Sequence, residues 1–142
     1  MMSQEDFDPS REGWEPFSEP GHIELTGPLW RKQEGDELLV ALHVKDKHLN
    51  RNGVVHGGML MTLLDHAMAM GSWAHNGQRR QATIQFETQF IGKAERDDFL
   101  VVRPQVMRRA RSLVFMRAVG TVGERVVVSA SGVWTIFPEE KS

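Results

Sequence analysis

The segment NRNGVVHGGMLMTLLDHAMAM, residues 50–70, predicts the central element of the fold. From Gly57 or Gly58 to about Ala74 its apolar residues are good helix formers without β-branching, and almost no polar face remains. A helix that is apolar nearly all round is buried. We therefore expect one long buried helix, which two glycines open and a single carboxylate, Asp65, interrupts.

The chain on either side of this helix has the pattern of β-strands. Two strands are expected before it, at residues 27–33 and 36–46, joined by a tight turn. Four more follow it at hairpin spacing, over residues 80–92, 98–109, 112–122 and 125–137. One long helix beside an antiparallel sheet of five or six strands is an α+β arrangement. Because the helix lacks a polar side, the sheet must curl around it or a second subunit must cover its open side.

The first strand after the helix shows the period of two that a strand requires. Successive side chains of a strand point to opposite faces of the sheet. We therefore expect one face of this strand to carry Ala82, Ile84, Phe86, Thr88 and Phe90.

The length of the chain, 142 residues, fits one domain, because domains most often contain about 100–150 residues. Residues 1–20 are polar, with three prolines and scattered acidic residues. We expect them to form a flexible N-terminal arm, with Trp14 and Phe17 as its docking points. Residues 21–142 then form a single domain.

The composition excludes several classes of protein and site. With no cysteine, the chain has no disulfide, no thiolate nucleophile and no cysteine-ligated metal. Its formal net charge of −2 gives no general attraction to nucleic acid, and Asp65 and His66 interrupt the best candidate for a membrane span. The chain lacks HExxH or a comparable spacing of ligands, so we expect no metal site and no cofactor. A cytoplasmic protein without a membrane or nucleic-acid partner is expected.

Two interpretations of residues 50–65 are open from the residues alone. In the structural one, residues 50–58 are only a strand-to-helix loop, and Asp65 is a charge at a subunit seam. In the chemical one, glycines at the helix start expose N–H groups at the positive end of the helix dipole, where a developing oxyanion can be held. Asp65 would then attack a carbonyl or deprotonate the attacking water. Such a pair of features suits the transfer of an acyl group to water.

The spacing of these two features adds a constraint to the chemical interpretation. Gly57 and Asp65 are separated by roughly 12 Å along a helix that rises 1.5 Å per residue. Both must come within about 3 Å of one carbonyl, so they cannot act on it from the same chain. Two antiparallel helices related by a twofold axis would place each Asp65 beside the Gly57 of the other chain. The chemical interpretation therefore predicts an obligate dimer with two equivalent sites.

A known family shares this arrangement. The pattern Asn50-x-x-Gly53-x-x-His56-Gly57-Gly58, followed by Thr62-Leu63-x-Asp65, resembles the hot-dog-fold acyl-CoA thioesterases of the phenylacetate-degradation (PaaI-like) type. The resemblance extends from about Gly27 to Phe137. It implies a curled sheet wrapped around one helix, an acyl-CoA substrate, and a site across a homodimer interface. It also implies dimers that pair into tetramers.

The resemblance also implies roles for individual residues. Asp65 would be the nucleophile or the general base, and the N–H of one of the two glycines would be the oxyanion donor. Asn50 would position the thioester or the water, and His56 would shape the loop, although a general-base role for His56 is an alternative. Some relatives carry Ser or Thr near the attacking water, on the strand after the helix, where this chain has Thr83. The implied catalytic residues are thus Asp65, Asn50, Gly57, Gly58, His56 and Thr83.

Two groups of residues are candidates for binding the substrate. An adaptable acyl pocket would be lined by residues of the long helix, namely Met61, Leu64 and Met68, for which core filling is the alternative. The phosphates of coenzyme A would be bound by arginines, which match phosphate geometry well, namely Arg108, Arg109 and Arg111. A solvated strand face is the alternative for these arginines.

Other functions on the same fold give different expectations. A non-catalytic acyl-CoA-binding or regulatory module would use the helix start and the arginines, with Asp65 serving only structure. A hot-dog dehydratase or hydratase would be expected to carry an Asp-x-Asn-x-x-His-like pair, which this chain lacks. The preferred prediction is hydrolysis of acyl-CoA to free acid and coenzyme A.

Overall fold

The computed structural model describes residues 7–139. Within this range two short 3-10 helices, at Pro9–Glu12 and Asp46–His48, accompany two α-helices and seven strands. In chain order the elements are β1 (Glu15–Phe17), α1 (His22–Thr26), β2 (Leu29–Glu34), β3 (Glu37–His43), α2 (Gly57–His75), β4 (Gln81–Phe90), β5 (Phe99–Arg109), β6 (Leu113–Val122) and β7 (Arg125–Ile136). The predicted order of two strands, one long helix and four strands is confirmed, and β1 and α1 precede it.

The strands of the described range form one antiparallel sheet in the order β1-β2-β3-β5-β6-β7-β4. The sheet curls around α2, which contacts β3, β4, β5, β6 and β7. This arrangement confirms the predicted α+β hot-dog fold. The sheet has one strand more than the five or six expected, because β1 comes from the segment interpreted as an arm.

The main core lies between α2 and the inner face of the sheet. Leu63, Leu64 and Met68 project from α2 into this core and are fully buried, and Trp134 of β7 packs in the same cluster. Removing an apolar side chain of this size from water contributes about 1.5–3 kcal/mol to folding. This side of α2 is therefore buried as predicted.

The opposite side of α2 is not covered in the single chain. Met61 and Trp73 on that side are 40% and 45% exposed. The neighbouring strand β4 forms an edge of the sheet, and its Ile84 and Phe90 are 58% and 55% exposed. Because contiguous exposed apolar surface marks interaction sites, these side chains favour a second subunit over complete enclosure by the sheet.

The N-terminal segment departs from the expected flexible arm. Trp14 is 7% exposed and packs on the outer face of the sheet, with its ring centroid 5.0 Å from that of Phe99. Phe17 pairs with Leu29 at the end of β1, so this part of the segment belongs to the sheet. The folded unit therefore begins before residue 21, and residues 1–6 of the expected arm lie outside the described residues.

Strand β4 also departs from the expected alternation. Its register against β7 shifts between Thr83 and Gln85, as a β-bulge produces. Thr83 is paired with the buried Trp134, whereas Phe86, beyond the shift, is paired with Gly132. Directly paired residues share a face of the sheet, so Thr83 and Phe86 both face α2. The prediction that Ala82 and Ile84 share the face of Phe86 is wrong, because a strict period of two cannot include the extra residue of a bulge.

Candidate active site

The loop before α2 is built around Asn50. The Asn50 side-chain oxygen accepts hydrogen bonds from the N–H groups of Asn52 at 2.8 Å and Val54 at 3.4 Å. Its backbone carbonyl accepts the N–H of Gly53, whose φ of 79° is a left-handed conformation that suits glycine. The carbonyl side of the Asn50 amide therefore holds the loop, and its NH₂ group is the part suited to contact a ligand.

His56 is the N-cap of α2. Its Nδ1 accepts the N–H of Gly58 at 2.8 Å. A nitrogen that accepts a hydrogen bond carries no proton, so the neutral ring of His56 is protonated on Nε2. The N–H of Gly57 has no acceptor within residues 7–139. The N–H of Gly58 is thus already bound within its own chain, whereas the N–H of Gly57 is available to a ligand.

Asp65 lies two turns further along α2. It is half-buried in the single chain, and its Oδ1 accepts a hydrogen bond of 2.8 Å from the Thr83 hydroxyl. The bulge in β4 makes this contact possible by turning Thr83 toward the helix. A carboxylate has about four acceptor positions, so the Thr83 bond leaves capacity for a ligand or water.

Gly58, Met61, Thr62 and Asp65 follow the i, i+3, i+4 and i+7 spacing of one helix face. Together with Phe86 of β4 they line a hollow of about 320 Å³. The walls supplied by Met61 and Phe86 are apolar, and the carboxylate provides a charged oxygen between them. The hollow can therefore accept an apolar group next to a carboxylate.

A larger hollow lies elsewhere. It measures about 590 Å³, lies over β4, β6 and β7, and is lined by polar residues that include Glu87, Arg117 and Ser131. None of the predicted catalytic residues reaches it. We take the smaller hollow as the candidate active site, because an active site needs convergent reactive groups as well as space, and Asp65, the hydrogen-bond partner of Thr83, lines it.

The predicted substrate-binding residues are dispersed. Met61 lines the hollow beside Asp65, whereas Leu64 and Met68 are fully buried in the main core. The arginines lie in or next to the β5–β6 turn, where Arg109 Nε donates to the carbonyl of His75 at 3.1 Å. His75 ends α2, roughly 27 Å along the helix from Gly57 at 1.5 Å per residue. Within one chain, Arg108, Arg109 and Arg111 are therefore remote from the helix start.

Sequence reasoning missed two histidines near the start of α2. His22 Nε2 lies 3.0 Å from the Thr62 hydroxyl at the hollow, and the buried His48 has its Nε2 2.6 Å from the carbonyl of Thr26. Both contacts join residues more than 20 positions apart, so no local pattern indicates them. The position of His48 two residues before Asn50 was the one available signal.

Two observations concern partners of other kinds. Among residues 7–139, no group of three or more His, Asp or Glu side chains is placed to hold a metal ion. In the same range, neither helix has both the length and the apolar character needed to cross a membrane.

With this geometry in view, comparison with known proteins identifies the family. The Thioesterase superfamily profile matches residues 52–131, which include the end of the loop, α2 and Thr83 but not Asn50. The chain belongs to the thioesterase superfamily. The family predicted from the Asn50 to Asp65 pattern is thereby confirmed, and the protein is a thioesterase, a hydrolase.

Individual relatives agree with this assignment. The chain is 33% identical over 126 residues to a Pseudomonas aeruginosa protein named "Putative esterase PA0474", covering 87% of this chain and 94% of that protein. A hypothetical thioesterase of Streptococcus pneumoniae TIGR4, solved with coenzyme A, is 22% identical with a TM-score of 0.68, covering 80% of this thioesterase and 91% of that chain. The phenylacetic acid degradation protein PaaI of Thermus thermophilus is 20% identical with a TM-score of 0.67, covering 92% and 100%. The two structures share the fold.

Proposed function

We propose that this thioesterase hydrolyses acyl-CoA thioesters to the free acid and coenzyme A at a site built on Asp65. The observation that carries the proposal is the hydrogen bond of 2.8 Å between Thr83 and Asp65, and Asp65 also lines a hollow with apolar walls. Met61 and Phe86 would contact the acyl group there. The similar Streptococcus pneumoniae thioesterase, solved with coenzyme A, supports a coenzyme A thioester as the substrate class.

In this proposal Asp65 is a general base. The single hydroxyl proton of Thr83 is donated to Asp65, so the lone pairs of Thr83 Oγ1 are free to accept a hydrogen bond from water. A water molecule between the two side chains would donate one hydrogen to each and direct its own lone pair at the thioester carbonyl. Asp65 takes a proton as the water attacks, the tetrahedral intermediate collapses, and the C–S bond breaks. The sulfur leaves as the thiolate of coenzyme A, or it takes up the proton held by Asp65 and leaves as the thiol.

The oxyanion donor would be the Gly57 N–H of a second copy of the chain. Within one chain Asp65 and Gly57 lie roughly 12 Å apart along α2, too far to contact the same carbonyl. The uncovered side of α2, with Met61 and Trp73, and the free edge of β4, with Ile84, provide an apolar surface for the second copy. A twofold pairing of the two α2 helices then completes two sites at once.

The same pairing gives the distant arginines a place in the site. With each Asp65 opposite the Gly57 of the other copy, the antiparallel helices bring the end of one α2 toward the loop that precedes the other. Arg109, held against the carbonyl of His75, would therefore lie near the Asn50 loop of the second copy. Arg108 and Arg111 are exposed in the same turn, and we assign the three arginines to the phosphates of coenzyme A.

Thiol release from a panel of aromatic, short-chain and medium-chain acyl-CoAs tests the proposal. Asp65→Asn and Asp65→Ala are expected to lower kcat by about 10²–10⁴-fold, the range for loss of a general base. Asp36→Asn changes an exposed carboxylate in the β2–β3 turn and serves as the matched control with wild-type kcat. Full turnover by Asp65→Ala contradicts the mechanism, and acyl-CoA binding without thiol release supports the non-catalytic binding module instead.

A further inference from the structure

The short helix α1 is connected to α2 directly at one point and to the segment before α2 at another. At the start of α1, the His22 ring lies 3.0 Å from the hydroxyl of Thr62 on α2. At its end, the carbonyl of Thr26 lies 2.6 Å from the ring of His48. Ile23, between the two, is buried in the main core and anchors α1 in place. This five-residue helix thus contacts α2 at Thr62 and the segment that precedes α2 at His48.

The first connection ends on the carbonyl of Gly58. Thr62 donates its hydroxyl proton to that carbonyl at 3.0 Å, so its oxygen must accept the hydrogen bond with His22. His22 therefore donates through Nε2, and the chain of bonds runs from His22 through Thr62 to Gly58. Gly58 directly follows Gly57, whose N–H is unoccupied within the described residues.

The second connection ends on the backbone N–H of His56. His48 Nδ1 accepts the N–H of Lys45 at 2.9 Å, so the proton of the ring is on Nε2 and is donated to Thr26. The carbonyl of His48 then accepts the N–H of His56 at 2.8 Å. Burial lowers the pKa of His48, which keeps the ring in the neutral form that this pattern requires.

We propose that α1 is a brace that aims the Gly57 N–H, with His22 and His48 as its positioning residues. This inference rests on the proposed function, in which that N–H is the oxyanion donor. The two connections end on the residues before and after Gly57, so together they restrict rotation of the peptide that carries the donor. α1 lies outside residues 52–131, so the family match does not include this brace.

The expected effect of loosening the brace is a loss of kcat. A misplacement of about 1 Å at a reacting group can cost about 10²-fold in rate, so releasing one of two connections should cost about tenfold. Ground-state binding uses other contacts, so KM should stay within about twofold of wild type. A purely structural role would instead lower the melting temperature and leave kcat per folded enzyme unchanged.

Matched variants at both histidines distinguish these roles. His22→Leu removes the donor to Thr62, whereas His22→Gln retains one and is expected to restore most of kcat. His48→Asn keeps an acceptor for the N–H of Lys45 but is too short to donate to the carbonyl of Thr26. His48→Gln reaches that carbonyl but loses the acceptor for Lys45. We expect His48→Asn to lose more of kcat than His48→Gln. Glu24→Gln, at an exposed position of α1, is the control with wild-type kinetics.

Thiol-release kinetics on the full-length enzyme, with the folded fraction measured by circular dichroism, provide the readout. Wild-type kcat in folded His22→Leu, or a KM increase with unchanged kcat, overturns the brace. His22 is exposed, so its variants give an answer even if the His48 variants do not fold. Failure of the proposed function is a separate result, because the wild-type enzyme itself would then release no thiol.

Discussion

Replacing Thr83 with valine tests the proposed catalytic role of the hydrogen bond between Thr83 and Asp65. Valine matches threonine in shape but has no hydroxyl, so Thr83→Val removes the donor that lies 2.8 Å from Asp65 Oδ1. It also removes the oxygen that, in our proposal, accepts a hydrogen bond from the attacking water. Thr83 is exposed on an edge strand in the single chain, so the fold should tolerate the change.

The magnitude follows from the strength of this bond. A hydrogen bond to a charged group contributes about 1.5–3 kcal/mol, and the partial exposure of both side chains favours the lower end. A loss of about 1.5 kcal/mol in transition-state stabilisation corresponds to roughly a tenfold decrease in kcat. Thr83→Ser retains the hydroxyl and should keep kcat within about threefold of wild type. This decrease is smaller than the roughly tenfold decrease expected for Thr83→Val.

Steady-state thiol release measures both variants, and a double-mutant cycle with Asp65→Asn measures their coupling. If Thr83 acts through Asp65, the valine substitution should cost much less in the Asp65→Asn background than in wild type. Equal activity of Thr83→Val and wild type refutes the reasoning. So does an equal loss in the serine and valine variants, because the hydroxyl would then not be the group that matters.

Three further predictions concern stability and assembly. Leu64→Ala should lower the unfolding free energy by about 2–5 kcal/mol in urea denaturation, since Leu64 is fully buried, whereas Leu25→Ala, at a side chain that is 76% exposed, should change it by less than about 0.5 kcal/mol. Equal losses would contradict the placement of Leu64 in the core. Burial lowers the pKa of both His43 and His48 below the value of 6.5, so the unfolded chain takes up protons first as the pH falls. Stability should therefore be fully present above about pH 6.5 and decrease below it, and urea denaturation from pH 7.5 to 5.5 that shows no decrease would contradict this. Ile84→Glu places a charge on the free edge of β4 and should shift the protein toward monomer, with loss of turnover. Sedimentation velocity measures the shift. A variant that remains an active dimer would exclude this edge as the interface.

The features that the sequence predicted well are those with a local physical signature. The helix beginning at Gly57 was predictable because a run of apolar helix formers can only be buried. The strands after it were predictable from hairpin spacing. The segment around Trp14 was not, because its prolines and acidic residues suggest a loose chain. The Trp14 ring instead packs against Phe99, which lies far away in sequence.

The position of Thr83 shows how two arguments from the sequence can disagree about one residue. Strict alternation from Ala82 to Phe90 would turn Thr83 away from the helix, so the period of two argued against its role in the site. The family resemblance argued for it. The bulge resolves the conflict, because one extra residue at Ile84 lets Thr83 and Phe86 face α2 together. A bulge depends on pairing with β7 and leaves no trace in the sequence of β4 alone.

The position of Asp65 explains why the single chain has so much exposed apolar surface. A helix that carries both an unoccupied N–H at Gly57 and a carboxylate two turns later cannot apply both to one carbonyl, since the separation is set by the helical rise. In our proposal, the side of α2 that carries Asp65 stays open for substrate and for a second copy. Met61, Trp73 and Ile84 are exposed around that opening. The proposed chemistry and the proposed dimer therefore depend on each other, and a monomer with full turnover would contradict both.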